Sequence, residues 1–205
     1  MPISPRQRPE KTITIHCMQI ALFGGRFDPV HNGHMAVARE VLKVGAADEI
    51  WFSLENQHQW RPIAASTDDR RAMLEVAIKG EPRFKIDETP IKLGGLTETI
   101  SVVRELRKEV KDDIIFVVGS DNLKVFDKWT HWQELLREVK FLVVARKGFP
   151  FEGVPPNAII VNDPNYEPLE DSATRIRERL KKGMSIRGLV PEKVGEYIRK
   201  HSLYG

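Results

Sequence analysis

Apolar residues along the chain fall into short continuous runs that alternate with stretches of helical spacing. "MQIALFGG", Met18 to Gly25, is an apolar run ending in two glycines, which suits a buried strand running into a turn. "HMAVAREVLKVGA" follows with Val37, Val41, Leu42 and Val44 at helical spacing and Gly45 as a stop. "EIWFSL", Glu49 to Leu54, reads as a second strand. "STDDRRAMLEVAIKG" then opens with hydroxyl caps and acids, places Met73, Leu74, Ala77 and Ile78 on one face, and ends at Gly80. The alternation continues: "RFKIDE" is strand-like, "TETISVVRELRKEV" helical, "DIIFVVGSD" an apolar strand, "HWQELLREV" helical, and "KFLVVAR" and "AIIV" strands. "SATRIRERLKKG" and "PEKVGEYIRKHSL" read as closing helices, the second with Pro191 in its first turn. Strands apolar along their whole length indicate a sheet buried on both sides. The pattern therefore predicts an α/β fold, doubly wound, with a mainly parallel sheet and helices on both faces. Ligands in such folds sit at the carboxyl ends of the strands.

Composition narrows this only a little. A chain of 205 residues that is 41% hydrophobic fits a single domain. Residues 1–16, with Pro2, Pro5 and Pro9, read as a flexible tail, and 17–205 as one domain with a small carboxy-terminal helical part. The formal charge of +3 describes a solvated surface, not a nucleic-acid stripe. No run approaches the roughly 18 apolar residues of a membrane span. Cys17 is the only cysteine, which excludes an internal disulfide and a multi-cysteine zinc cage and fits the reducing cytoplasm.

The chemistry concentrates in "LFGGRFDPVHNGH". Phe23, Gly24 and Gly25 close the first strand, and His31 to His34 open the following helix. A helix start offers unpaired N–H groups and partial positive charge, which favour phosphate. Gly24, Gly25 and Gly33 remove side chains where a ligand would approach the backbone. The i, i+3 spacing puts both imidazoles on one face. Other readings compete. The dinucleotide fingerprint fails, because Gly24 and Gly25 are adjacent and the next glycine is Gly33. Zinc would need a third ligand such as His58. Two purely structural histidines remain open as well.

A second cluster lies in "DSATRIRERL". Ser172 or Asp171 can cap a helix, Thr174 can donate a hydroxyl in its first turn, and Arg175, Arg177 and Arg179 add cationic donors. Alone it reads equally well as a capped helix with a basic face. Together with the first cluster it could complete a triphosphate site.

In this order the two motifs resemble the HxGH nucleotidyltransferases: His31-Asn32-Gly33-His34, then Ser172-Ala173-Thr174-Arg175-Ile176-Arg177. "VGSDNLKVFDKWTHWQELL" and "LVPEKVGEYIRKHSLY" extend the similarity, over Met18 to Tyr204, to nicotinate-nucleotide adenylyltransferases of the bacterial type. The resemblance implies a Rossmann-like fold in which ATP meets a pyridine mononucleotide, whose 5′-phosphate attacks the α-phosphorus in line and expels pyrophosphate. It implies that His34 and His31 bind the α-phosphate, and that Thr174 and Arg177 hold the outer phosphates with Ser172 and Arg175 beside them. Gly24, Gly25, Phe27 and Gly33 would line the phosphate approach. Asp121 would face the ribose, Trp129 the pyridine ring, and Thr97 and Arg61 the rest of the mononucleotide. Magnesium would be held through ATP phosphates, with no protein metal site. A monomer or a homo-oligomer is compatible with the family.

The sequence departs from the family in places. "ENQHQWRP" has His58, Gln59 and Trp60 where Pro-Pro-His is usual, though Arg61 keeps the charge. "GGLTETI" keeps Thr97 but not the residues before it, and "TETISVVREL" is closer to eukaryotic nicotinamide-nucleotide enzymes. Asp171 replaces an isoleucine. The choice between nicotinate and nicotinamide mononucleotide therefore stays open, beside a nucleotide sensor without turnover. A class I aminoacyl-tRNA synthetase core, to which "KKGMS" bears a partial likeness, fails on residue order and chain length.

Overall fold

The computed structural model describes residues 18–57, 62–161, 163, 165–169 and 172–205. The predicted tail before residue 17 lies outside them. Six strands form one sheet: β1 (Gln19–Gly25), β2 (Glu49–Leu54), β3 (Phe84–Asp87), β4 (Asp113–Gly119), β5 (Lys140–Val144) and β6 (Ala158–Val161). Their order is β3-β2-β1-β4-β5-β6, and every pairing is parallel. The strand order turns back between β1 and β4, so the carboxyl ends of these two strands open a crevice.

The apolar strands alternate between two cores. Ala21, Ile115, Val117, Leu142 and Val144 face one side, with α1 (Asn32–Lys43), α2 (Thr67–Ile78), α6 (Ala173–Lys181) and α7 (Glu192–Lys200). Leu22, Ile114, Phe116, Val118, Phe141 and Val143 face the other, with α4 (Thr99–Glu109) and α5 (Trp132–Glu138). Burying each such side chain contributes about 1.5–3 kcal/mol, which rewards a strand apolar on both faces. The closing helices share the core of α1, where Ile176, Val194 and Ile198 are fully buried.

Helix ends follow the local chemistry. Ser66 caps α2 by accepting from the Asp69 N–H, and Ser172 caps α6 by accepting from the Arg175 N–H. Gly45 and Gly80, just past α1 and α2, have positive φ of 69° and 93°. Pro191 stands one residue outside α7, at the cap, and not within its first turn. Two elements have no counterpart in the predicted pattern: α3 (Thr89–Leu93) and a 3-10 helix, Ser120–Lys128. No helix among the described residues is long and apolar enough to cross a membrane.

Candidate active site

The first loop past β1 builds one half of the site. Its glycines make room for the protein's own rings. A side-chain carbon at Gly24 would lie 3.0 Å from the Phe116 ring, at Gly25 3.1 Å from Phe27, and at Gly33 3.0 Å from the His31 imidazole. Phe27 holds a φ of 48°, a region costly for a non-glycine residue, and is 2% exposed. It stands behind His34, edge-on at 5.0 Å between ring centroids, and not on the open side of the loop. Behind it the row of rings continues, Phe27 to Phe52 at 5.5 Å and Phe52 to Phe84 at 5.5 Å.

His31 is the residue before α1, and its ring stacks on His34 with centroids 3.7 Å apart. His31 is buried at 2% exposure, whereas His34 is half-buried. The His31 backbone N–H donates to His34 Nδ1 at 3.2 Å. An accepting Nδ1 assigns the proton of a neutral imidazole to Nε2. Burial lowers the pKa of both rings; the Arg146 charge adds to this, and for His34 so do His31 and Arg26. His31 falls to about 3, and His34 well below its ordinary 6.5. Both rings are neutral donors near pH 7, so no charged imidazole awaits a phosphate.

This has a consequence for stability. Below pH 6.5 the unfolded chain takes up protons that the folded protein refuses, so the folded state loses up to about 1.4 kcal/mol per pH unit for each such histidine. The loss begins at the unfolded value and for His31 ends near pH 3. Urea midpoints should fall more steeply from pH 6.5 to 5 in the wild type than in His31→Asn. Parallel slopes would show that His31 protonates freely in the folded protein.

Arg177 reaches this loop from α6. Its Nη1 donates to the Asp28 carbonyl at 2.6 Å and lies 3.7 Å from the Asp28 carboxylate. Asp28 is 1% exposed and accepts from the Ala64 N–H at 2.7 Å, the Ala65 N–H at 3.0 Å and the Tyr204 hydroxyl at 2.8 Å. Arg177 Nη2 also approaches Thr174 Oγ1 at 3.4 Å. Thr174 and Arg175 are exposed on the first turn of α6. Asn32 ties the start of α1 to the chain before α7, through the Leu189 and Gly188 carbonyls at 3.0 and 2.7 Å.

On the other side of Gly24 opens a cleft continuous with solvent. Phe23, Phe116 and Trp129 form its aromatic wall, and Thr97 and Asn122 lie along its edge. Trp129 stands edge-on to Phe116 at 5.9 Å, half-buried with ring surface left for a ligand. Thr97 Oγ1 donates to the Pro90 carbonyl at 3.2 Å, which fastens its own loop. Glu55, also in the wall, is raised by burial to about 7, against the pull of Arg26 and Arg70. Asp121 follows the end of β4, with its carboxylate 3.8 Å from Arg146 Nε. A side-chain carbon at Gly119 would fall 2.3 Å from that carboxylate and 2.9 Å from the Arg146 stem, so only glycine leaves room for the pair.

The fold thus gathers His31, His34, Gly25, Gly33 and Arg177 around the loop past β1 and sets Thr97 and Trp129 in the cleft that Gly24 also lines. Asp121 is not among the cleft-lining residues and pairs with Arg146, whose guanidinium lies beside Gly33 and the two histidines. Ser172 serves as a helix cap. Arg61, His58 and Asp171 lie outside the described residues. Sequence reading passed over Asp28, Glu55 and Arg146. Arg146 and Glu55 each come just past the carboxyl end of a strand, β5 and β2, the position where ligands of such sheets are met.

Comparison with known proteins adds to this geometry. The cytidylyltransferase-like family model matches residues 22–179. A probable nicotinate-nucleotide adenylyltransferase of Geobacillus kaustophilus is 38% identical over 191 residues, 91% of this chain and 86% of that protein. The nicotinate-nucleotide adenylyltransferase of Bacillus subtilis is 35% identical over 190 residues, 91% of this chain and 98% of its own length. Among solved structures, Plasmodium falciparum nicotinic acid mononucleotide adenylyltransferase complexed with NaAD superimposes with a TM-score of 0.78. That pair is 19% identical and covers 91% of this chain and 97% of the other, a likeness of fold.

Proposed function

The chain belongs to the cytidylyltransferase-like family and, within it, to the nicotinate-nucleotide adenylyltransferases, and on that premise we infer how its residues share the work. The enzyme transfers the adenylyl group of ATP to nicotinate mononucleotide, giving nicotinate adenine dinucleotide and pyrophosphate in NAD biosynthesis. The 5′-phosphate oxygen of the mononucleotide forms a bond to the α-phosphorus while the bond to the bridging oxygen of pyrophosphate breaks. Proximity and neutralisation of phosphoryl charge are what such a step requires of the protein.

His34 donates from Nε2 to an α-phosphate oxygen, and His31, stacked beneath it, fixes its plane and adds its own donor. Gly24, Gly25 and Gly33 keep the backbone of the phosphate side bare, with Phe27 supporting the His34 ring from behind. Arg177 and Thr174 hold the outer phosphates and steady the leaving pyrophosphate, with Ser172 ordering their helix and Arg175 adding charge at its start. Trp129 stacks on the pyridine ring, Asp121 accepts from a ribose hydroxyl, and Thr97 shapes the wall beside it. The observation that carries the reading is that one loop past the carboxyl end of β1 bears both halves of the site: it leads into His34, whose Nδ1 accepts from the His31 N–H, and its Asp28 carbonyl accepts from Arg177.

Magnesium comes with the substrate in this scheme. Among the described residues no three His, Cys, Asp or Glu side chains cluster as a metal site, so no side chain is assigned to the ion. When bound to the phosphates, it neutralises part of their charge. A cytoplasmic setting belongs to the same proposal, supported by the lone Cys17.

One observation favours a second acceptor. The described wall of the cleft carries Glu55 and Glu98 but no lysine or arginine. Acidic groups in that wall suit an uncharged pyridine amide better than a carboxylate, so we propose nicotinamide mononucleotide as an additional acceptor; Arg61, the basic residue that the resemblance puts at the mononucleotide, lies outside the described residues. Incubating the protein with ATP, magnesium and each mononucleotide, and following pyrophosphate and dinucleotide, tests both statements. Silence with both acceptors would sink the first, and turnover with nicotinate alone the second.

A further inference from the structure

The carboxy-terminal motif "LVPEKVGEYIRKHSLY" has no part in the chemistry above, yet its last tyrosine enters the site. The Tyr204 hydroxyl donates to Asp28 Oδ1 at 2.8 Å. Asp28 is 1% exposed and lies between two arginines, Arg70 and Arg177, each held by backbone carbonyls. Its carboxylate is satisfied by three neutral donors: the Ala64 and Ala65 N–H groups and Tyr204. Arg177 Nη1 therefore bonds to the Asp28 carbonyl at 2.6 Å and stays 3.7 Å from the carboxylate. It is held near the carboxylate without forming a two-pronged ion pair, which leaves Nε, and the Nη2 hydrogen that is not directed at Thr174 Oγ1, for a phosphate.

We propose that Tyr204 is a positioning residue for the ATP site: its hydroxyl satisfies the Asp28 carboxylate and so prevents that carboxylate from capturing the Arg177 guanidinium. A buried carboxylate short of one donor seeks another, and an arginine fork is the strongest partner within reach. Without the hydroxyl, Asp28 draws Arg177 into a bidentate pair. The cation is then turned away from the outer phosphates, and ATP binds more weakly. Arg177 acts on the phosphates in this account, so the proposal rests on the role given to it above.

Tyr204→Phe removes only the hydroxyl. Affinity for ATP, measured without mononucleotide by displacement of a fluorescent ATP analogue, should fall about tenfold. In an Arg177→Ala background the same change should alter it less than twofold, since the group acted upon is gone. Tyr197→Phe is the matched control. Its hydroxyl donates to Asp69 at 3.0 Å from α7, seven residues before Tyr204, and its loss should shift the melting temperature without changing ATP affinity. A Tyr204→Phe effect of equal size with and without Arg177 would overturn the proposal, as would an equal loss in Tyr197→Phe. Because the readout is affinity, failure of the adenylyl-transfer reading has its own signature: a wild type that binds ATP and releases no pyrophosphate.

Discussion

Replacing His34 with alanine lowers turnover by on the order of 10²-fold or more, the scale for losing one preorganised donor aimed at developing charge. Three observations support a loss this large. The ring is clamped between the His31 stack and the edge of Phe27, so it needs no reordering when ATP arrives. Its Nδ1 is engaged by the His31 N–H, which assigns the donor proton to Nε2. Its lowered pKa keeps the ring neutral before ATP arrives. Asparagine at this position should recover little, because its shorter side chain loses the stack. Steady-state pyrophosphate release at saturating ATP and mononucleotide checks the prediction, and a mutant keeping most of its turnover removes His34 from the mechanism. The same depressed pKa bears on pH dependence. Free wild-type enzyme should show no acid limb near 6.5 in kcat/KM arising from His34, since the imidazole is already neutral there.

Arg177→Ala should raise the KM for ATP and lower kcat/KM for ATP by about 10²-fold to 10³-fold, with a much smaller change in the KM of the mononucleotide. Two effects add. In the proposed role a guanidinium that would neutralise the leaving pyrophosphate is lost, and charge-assisted bonds of this kind are roughly twice as strong as neutral ones. The Asp28 carbonyl also loses its donor, which loosens the loop that carries His31 and His34. Lysine should restore only part of the rate, because a point charge cannot reach both the carbonyl and a phosphate with planar geometry. Separate titrations of the two substrates decide the matter. An equal rise in both KM values would mean that Arg177 holds the fold and not the phosphates.

The alternation of strands and helices was legible because apolar runs and helical spacing are local patterns, and strands such as "DIIFVVG" are buried on both sides. The 3-10 helix over Ser120–Lys128 was not. Leu123 and Phe126 are three residues apart, a period that fits a three-residue turn and matches neither the strand nor the α-helix pattern. In the site, the histidines and Arg177 could be singled out by residue type and spacing, and the resemblance gave their roles. Their link through Asp28 could not be read, because it joins residues separated by 149 positions in the chain. The glycines were read as room for a ligand. In the structure, the atoms crowding Gly24, Gly25 and Gly33 are the rings of Phe116, Phe27 and His31, a fact of packing that no single-residue rule contains.

The row of rings from Phe84 through Phe52 and Phe27 to His34 carries a lesson for how this sequence can drift. Phe84 lies on an edge strand far along the chain from any motif, yet its ring is the first of a file that ends on the His34 imidazole. Substitutions that a screen would score as neutral core variation at Phe52 or Phe84 should therefore surface as changes in rate before they surface as changes in solubility. Directed evolution toward heat tolerance would have to leave this file intact and find its gains on the opposite face of the sheet.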